Sequence, residues 1–129
     1  MATIDDVAAL ALSFPETVET ESRRGRAWAV AGKVFVWERP YSKADLKRFG
    51  DETPPSEPIA AVAVDDLDEK EAILAEGSPG IFTIEHFNGF PAVLIELDVV
   101  DSGRLQDAIE DAWMAKAPRS LVARYLNER

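Results

Sequence analysis

The side chains able to do chemistry in this 129-residue chain are mostly basic and aromatic, and they are concentrated early. Arg23, Arg24, Arg26, Lys33, Arg39, Lys43, Lys47 and Arg48 are eight of its fourteen basic residues. Only Glu38 and Asp45 oppose them there, so residues 23–48 carry +6 while the rest of the chain carries −16. Such a stretch suits phosphate contacts, which position a protein on nucleic acid without reading sequence. Trp28 and Trp37 lie within it, and Phe87 and Phe90 lie further on. Aromatics at strand spacing are usually core, but beside basic turns they can stack on bases. His86 is the lone histidine and sits next but one to Asn88. Imidazole titrates near neutrality, yet no partner at any spacing marks His86 as catalytic, and a hydrogen-bonded or base-contacting turn residue is the stronger reading.

Other chemistries lack their residues. There is no cysteine, which removes disulfides, thiolate catalysis and zinc–thiolate sites. No G-x-S-x-G elbow, G-x-G-x-x-G turn or Walker loop occurs. Acids cluster at Asp65, Asp66, Asp68, Glu69 and Glu71, and at Asp107, Glu110 and Asp111. Carboxylates hold hard cations, but the spacing is not that of an EF-hand, and helix N-termini attract acids for dipole reasons alone. The expectation is a non-enzymatic protein with no catalytic residue, no metal site and no cofactor.

The elements that must position these residues follow from periodicity. Ala27–Val30 and Val34–Trp37 alternate as strands, with Ala31-Gly32 between them as a turn that glycine's freedom at positive φ permits. Apolar residues on both faces of the second strand predict a central strand covered on both sides, or an exposed aromatic. Thr17–Ser22 reads as a polar edge strand that packs Val18. Thr3 caps a helix whose apolar face is Ile4, Val7, Ala8, Ala11 and Phe14, ended by Pro15. Ser42 caps two turns over 42–49, with Asp45 at the third position, and Lys43, Lys47 and Arg48 could extend the basic surface from it. The prolines of 51–58 predict a surface loop, and 40–58 is the expected flexible segment. Ile59–Val64 is a buried strand, and Asp66 caps the helix that Gly77 closes. Ile81–Ile84 and Ala92–Leu97 are strands, with Asn88-Gly89 predicting a hairpin between them. A helix over about 102–116 buries Leu105, Ala108, Ile109, Ala112 and Trp113. A last one after Pro118 turns Leu121, Val122, Tyr125 and Leu126 inward.

No βαβ repeat dominates, so the fold class expected is α+β, with helices on one face of a mostly antiparallel sheet. At this length one domain over residues 1–129 is the prior. No run approaches the roughly 18 apolar residues of a transmembrane helix, and no signal peptide is visible, so a cytoplasmic location is expected. The net charge of −10 argues against a protein that coats nucleic acid nonspecifically.

Several stretches together resemble the MmcQ/YjbR family of small bacterial proteins. They are Gly25-Arg26-Ala27-Trp28 followed by Gly32-Lys33-Val34-Phe35; Gly80-Ile81-Phe82 leading to His86, Asn88-Gly89-Phe90-Pro91 and Val93; and Asp111-Ala112-Trp113 with Ala117-Pro118. The resemblance spans roughly residues 3 to 121. It implies a CyaY-like fold, an antiparallel sheet with helices on one side, and a "double-wing" arrangement proposed to bind DNA, without catalytic residues. Carried onto this chain, the wings are the hairpins at about 25–38 and 82–97. Arg24, Arg26, Lys33, Arg39 and Lys43 then face DNA phosphates, and His86 and Asn88 face bases or sugars. A monomer is expected. Two rival readings stand beside this one. One is a protein-interaction or small-ligand module; the other is frataxin-like metal handling through the acidic helices.

Overall fold

A computed structural model describes residues 1–128. The helices are α1 (Ile4–Leu12), α2 (Lys43–Phe49), α3 (Leu67–Ala75), α4 (Ser102–Lys116) and α5 (Arg119–Glu128). The strands are β1 (Thr17–Ser22), β2 (Gly25–Val30), β3 (Lys33–Glu38), β4 (Ile59–Ala63), β5 (Ile81–Phe82) and β6 (Ala92–Glu96). They form one antiparallel sheet in the order β1-β2-β3-β4-β6-β5. The class is α+β, as the element order predicts.

Alternation along the central strands explains the two layers. Val36, Ala60, Val62, Val93 and Ile95 point to one face, where α1, α4 and α5 supply Val7, Ala11, Leu105, Ile109, Trp113 and Leu121 to the main core. Trp28 and Trp113 are fully buried there. Each indole N–H finds an acceptor, Glu19 Oε1 at 3.2 Å for Trp28 and the Pro15 carbonyl at 3.1 Å for Trp113, so their rings are buried without an orphaned donor. Capping boxes start α1 at Thr3/Asp6 and α2 at Ser42/Asp45. In the β2–β3 turn Ala31 and Gly32 both take positive φ, 51° and 78°, the type I′ pattern whose twist matches the strands.

The opposite face carries a second, smaller core. Ile59, Ala61, Ala92 and Leu94 meet Ile84 and Phe87, with Trp37, Tyr41, Phe49 and Phe82 packed around them. Small residues on these strands leave room for the loop and α2 to lie close. Both faces of β4 and β6 are therefore covered, which is why their sequences read as continuous apolar runs. The layering is thus more even than helices on one face alone, because α2 lies on the second face.

Four local expectations are corrected. Asn88-Gly89 does not close a two-residue hairpin. Phe82 pairs with Leu94, and residues 83–91 between them form a 3-10 turn, Glu85–Phe87, folded onto the sheet. Burial of Ile84 and Phe87 outweighs the local turn preference. Val18 is exposed at 61% and Leu126 at 46%, because β1 is an outer strand and α5 buries only one narrow stripe. Segment 40–58 is tethered: Tyr41 Oη donates to the Pro55 carbonyl at 2.8 Å, and Ser56 donates twice to Glu96 Oε2.

Candidate functional site

The basic and aromatic residues come together where β3 leaves the sheet. Trp37, paired with Ala27 and Ala61, projects onto the second face. The Arg39 amide prolongs the ladder by bonding the Ile59 carbonyl at 2.9 Å. The Arg39 side chain is buried, 7% exposed. Its Nη1 donates to the Pro40 carbonyl at 2.5 Å and pairs with Asp45 Oδ2 at 3.0 Å, and its Cζ lies 5.5 Å from the Phe87 ring centroid. A guanidinium held this way has a fixed direction.

Asp45 is the anchor of that arrangement. Its carboxylate is fully buried and also takes Arg48 Nη1 at 3.5 Å and the Ser42 amide at 2.9 Å. Burial alone would raise the Asp45 carboxyl, but the Ser42 hydrogen bonds and the Arg39 charge together hold it below the ordinary carboxylate range. The residue that completes the helix cap thus also fixes the arginine.

Loop 83–91 forms the facing wall. Phe87 and Phe90 are packed edge to face at 5.4 Å, and Trp37 lies 6.4 Å from each. The loop is pinned from behind by Lys70 of α3, 6% exposed, whose Nζ donates to the Phe87 carbonyl at 2.5 Å and the Phe90 carbonyl at 2.8 Å. Burial lowers the Lys70 amine from its usual value. Between the walls lies a cleft of about 320 Å³, lined by Trp37, Arg39, His86, Phe87 and Phe90. Trp37 and Arg39 also line an adjoining depression of about 170 Å³ with Ser22, Arg23, Arg24 and Glu38. Arg23 and Arg24 are exposed at the tip of the β1–β2 hairpin, between Ser22 and Gly25.

The candidates from sequence separate into two groups. Arg24, Arg39 and His86 surround this continuous surface. Lys43 and Lys47 are exposed on α2, which packs beside the 3-10 turn. Asn88 is exposed just past that turn and does not line the cleft. Arg26 is directed elsewhere: it stacks over Trp28 and is held by Glu19 at 2.9 Å and Asp5 at 2.8 Å. The Arg26 hydrogen bond, with the charge adding, draws the Glu19 carboxyl downward. Lys33 sits beside the β2–β3 turn, at the far end of β2 from Arg24. Five residue steps at about 3.4 Å each separate the two ends, roughly 17 Å. Trp28 is core and available to no ligand.

The family model of YjbR matches residues 12–115. The chain belongs to the YjbR family. It is 42% identical over 130 residues to the uncharacterized protein Rv2570 of Mycobacterium tuberculosis and to the uncharacterized protein Mb2600 of Mycobacterium bovis, covering 98% of this chain and 97% of each relative. No solved structure matches the chain significantly.

Sequence reasoning did not find Asp45 or Lys70 as organisers of this YjbR site, nor Arg23 as a site residue. The capping box around Asp45 was legible, but its pairing with Arg39, six positions earlier, depends on how α2 docks. Among the described residues no three His, Cys, Asp or Glu side chains converge to hold a metal ion, so the metal-handling alternative finds no site among them. No described helix is long and apolar enough to cross a membrane.

Chemically the cleft offers donors and ring faces. Arg39 Nε and Nη2, Trp37 Nε1 and both His86 ring nitrogens make no hydrogen bond to other described residues. Among the described residues no carboxylate lines the cleft itself. Such a lining suits a ligand that brings acceptors and a flat or apolar body.

Proposed function

We propose that this YjbR protein is a non-enzymatic, monomeric binder of DNA, engaging it on the side of the sheet that carries α2 and loop 83–91. The supporting observation is the shared wall of Trp37 and Arg39, which joins the Arg23–Arg24 hairpin tip to the His86–Phe90 loop in one surface. In this reading Arg23, Arg24, Lys43 and Lys47 contact phosphates, and the loop takes the place of the second wing. Arg26 and Lys33 are left out of the contact surface. The acids of α3 and α4 repel the backbone from other approaches, so the net charge of −10 orients the protein and does not forbid binding.

The test is backbone amide NMR during titration with a short DNA at low salt. Shifts concentrated in 22–24, 37–39, 43–48 and 83–91 support this reading. Shifts centred on α1, α4 and α5, or none, overturn it. A second reading is favoured by the cleft alone: a small acidic ligand or peptide side chain held by Arg39 in the cleft that Trp37 and Phe90 line. It predicts shifts confined to the cleft and no dependence on Arg23 and Arg24.

A further inference from the structure

We infer that the cleft lined by Trp37, Arg39, His86, Phe87 and Phe90 takes one unstacked nucleobase that presents hydrogen-bond acceptors, guanine before adenine, so that the protein prefers single-stranded to duplex DNA. This rests on the DNA-binding reading and sharpens its site. Three observations carry it. The cleft, about 320 Å³, is at the small end of the range for small-molecule sites, a size that suits a single planar group. Its lining offers ring surface: Trp37 and Phe90 meet edge to face at 6.4 Å, and Phe90, 46% exposed, gives a base a ring to stack on beside that contact. A base inside a duplex offers only its edge, whereas an unpaired base can stack on such rings.

The third observation is donor polarity. Arg39 lines the cleft and is held through Nη1 by Asp45 and the Pro40 carbonyl, while its Nε and Nη2 and Trp37 Nε1 make no hydrogen bond to other described residues. Arginine meets guanine at O6 and N7 in a bidentate pair, whereas adenine presents an amine beside N7. With no carboxylate in the lining among the described residues, that amine has no charged acceptor waiting. The Arg23–Arg24 tip, across the shared Trp37–Arg39 wall, lies where the phosphates flanking an inserted base would pass.

Two of the three tryptophans, Trp28 and Trp113, are fully buried, so quenching by a stacked base reports on Trp37. The experiment is fluorescence titration of the full chain with the nonamers dT4-dG-dT4 and dT4-dA-dT4, with the first annealed to its complement, and with GMP alone. The variants are Trp37→Leu, Phe90→Ala and Arg23→Glu/Arg24→Glu, each checked for folding by near-UV circular dichroism. The expected result is quenching by both single strands, at least tenfold tighter for the guanine strand, and tenfold weaker binding to duplex. Phe90→Ala should cost tenfold or more on the single strand and under twofold on duplex. Equal affinity for single strand and duplex, with Phe90→Ala neutral, overturns the base pocket and leaves DNA binding standing. Equal affinity for the guanine and adenine strands overturns the guanine preference. No binding of any DNA, with GMP alone quenching, overturns both and makes the cleft a mononucleotide site.

Discussion

Asp45→Asn is the substitution that most directly probes how the site is held. Asparagine keeps the shape and can still accept from the Ser42 amide, so the helix cap is largely retained. What disappears is the negative charge that faces Arg39, whose side chain is 8% exposed, and Arg48. Removing one partner of a buried pair costs about 3–5 kcal/mol because the other charge stays buried without its counter-charge. Arg39 keeps the Pro40 carbonyl and the Phe87 ring, so the lower end, about 3 kcal/mol, is expected. With a urea m-value of about 1.5 kcal/mol/M, that lowers the unfolding midpoint by about 2 M at unchanged m. The double replacement Arg39→Met/Asp45→Leu removes both charges and should lose far less, because a buried pair and an apolar pair of similar volume are often near equal. Asp45 has a depressed folded-state pKa, so its contribution is complete above the ordinary carboxylate range. It is lost as pH falls through that depressed value. The wild type and Asp45→Asn should therefore differ fully at neutral pH and converge in acid. A midpoint change under about 0.5 M, or a double variant as unstable as the single one, would mean that the Asp45 charge does not hold Arg39 in place.

Other consequences follow from the same geometry. Lys70→Met removes the donor from two loop carbonyls, and a buried unsatisfied acceptor costs about 1–3 kcal/mol. Faster amide hydrogen exchange at Phe87 and Phe90 than elsewhere would report the loosened loop. Because burial lowers the Lys70 amine, the folded state binds fewer protons than the unfolded one as pH climbs toward the usual lysine value, and wild-type stability gains there relative to Lys70→Met. Gly25 sits at φ +152°, and a Cβ there would lie 2.3 Å from Glu38 Oε1. Gly25→Ala should lower the melting temperature, and Gly25→Ala/Glu38→Ala should recover only part of the loss, since the backbone strain remains. Arg26→Met should leave DNA affinity within twofold while Arg24→Glu weakens it several-fold, because Arg26 is turned toward Asp5 and Glu19.

The elements read from sequence are those with strong local signals. The Ala31-Gly32 turn, the caps at Thr3, Ser42 and Asp66, and the apolar stripe of α4 all specify themselves within a few residues. Residues 83–91 do not, because the tendency of Asn88-Gly89 to close a hairpin is weaker than the burial of Ile84 and Phe87 against a sheet face. The basic cluster was legible as composition and not as a surface. Strand alternation puts Arg26 and Trp28 on the helix-covered face and Trp37 on the other, and strand length carries Lys33 to the far end. Arg39, Asp45 and Lys70 acquire their roles through contacts between separate elements, for which spacing along the chain gives no cue.

In the proposed function the side of the sheet that carries α2 and loop 83–91 binds the DNA backbone. This is tested most directly by fluorescence anisotropy with a short labelled single strand across a salt series, for wild type and Arg23→Glu/Arg24→Glu. Each phosphate contact on a single strand contributes about 0.7 to the slope of log affinity against log salt. Salt-weakened binding is expected for wild type, with a slope shallower by about 1.4 or more in the variant. Binding that ignores salt, an unchanged slope in the variant, or no binding at low salt would contradict it.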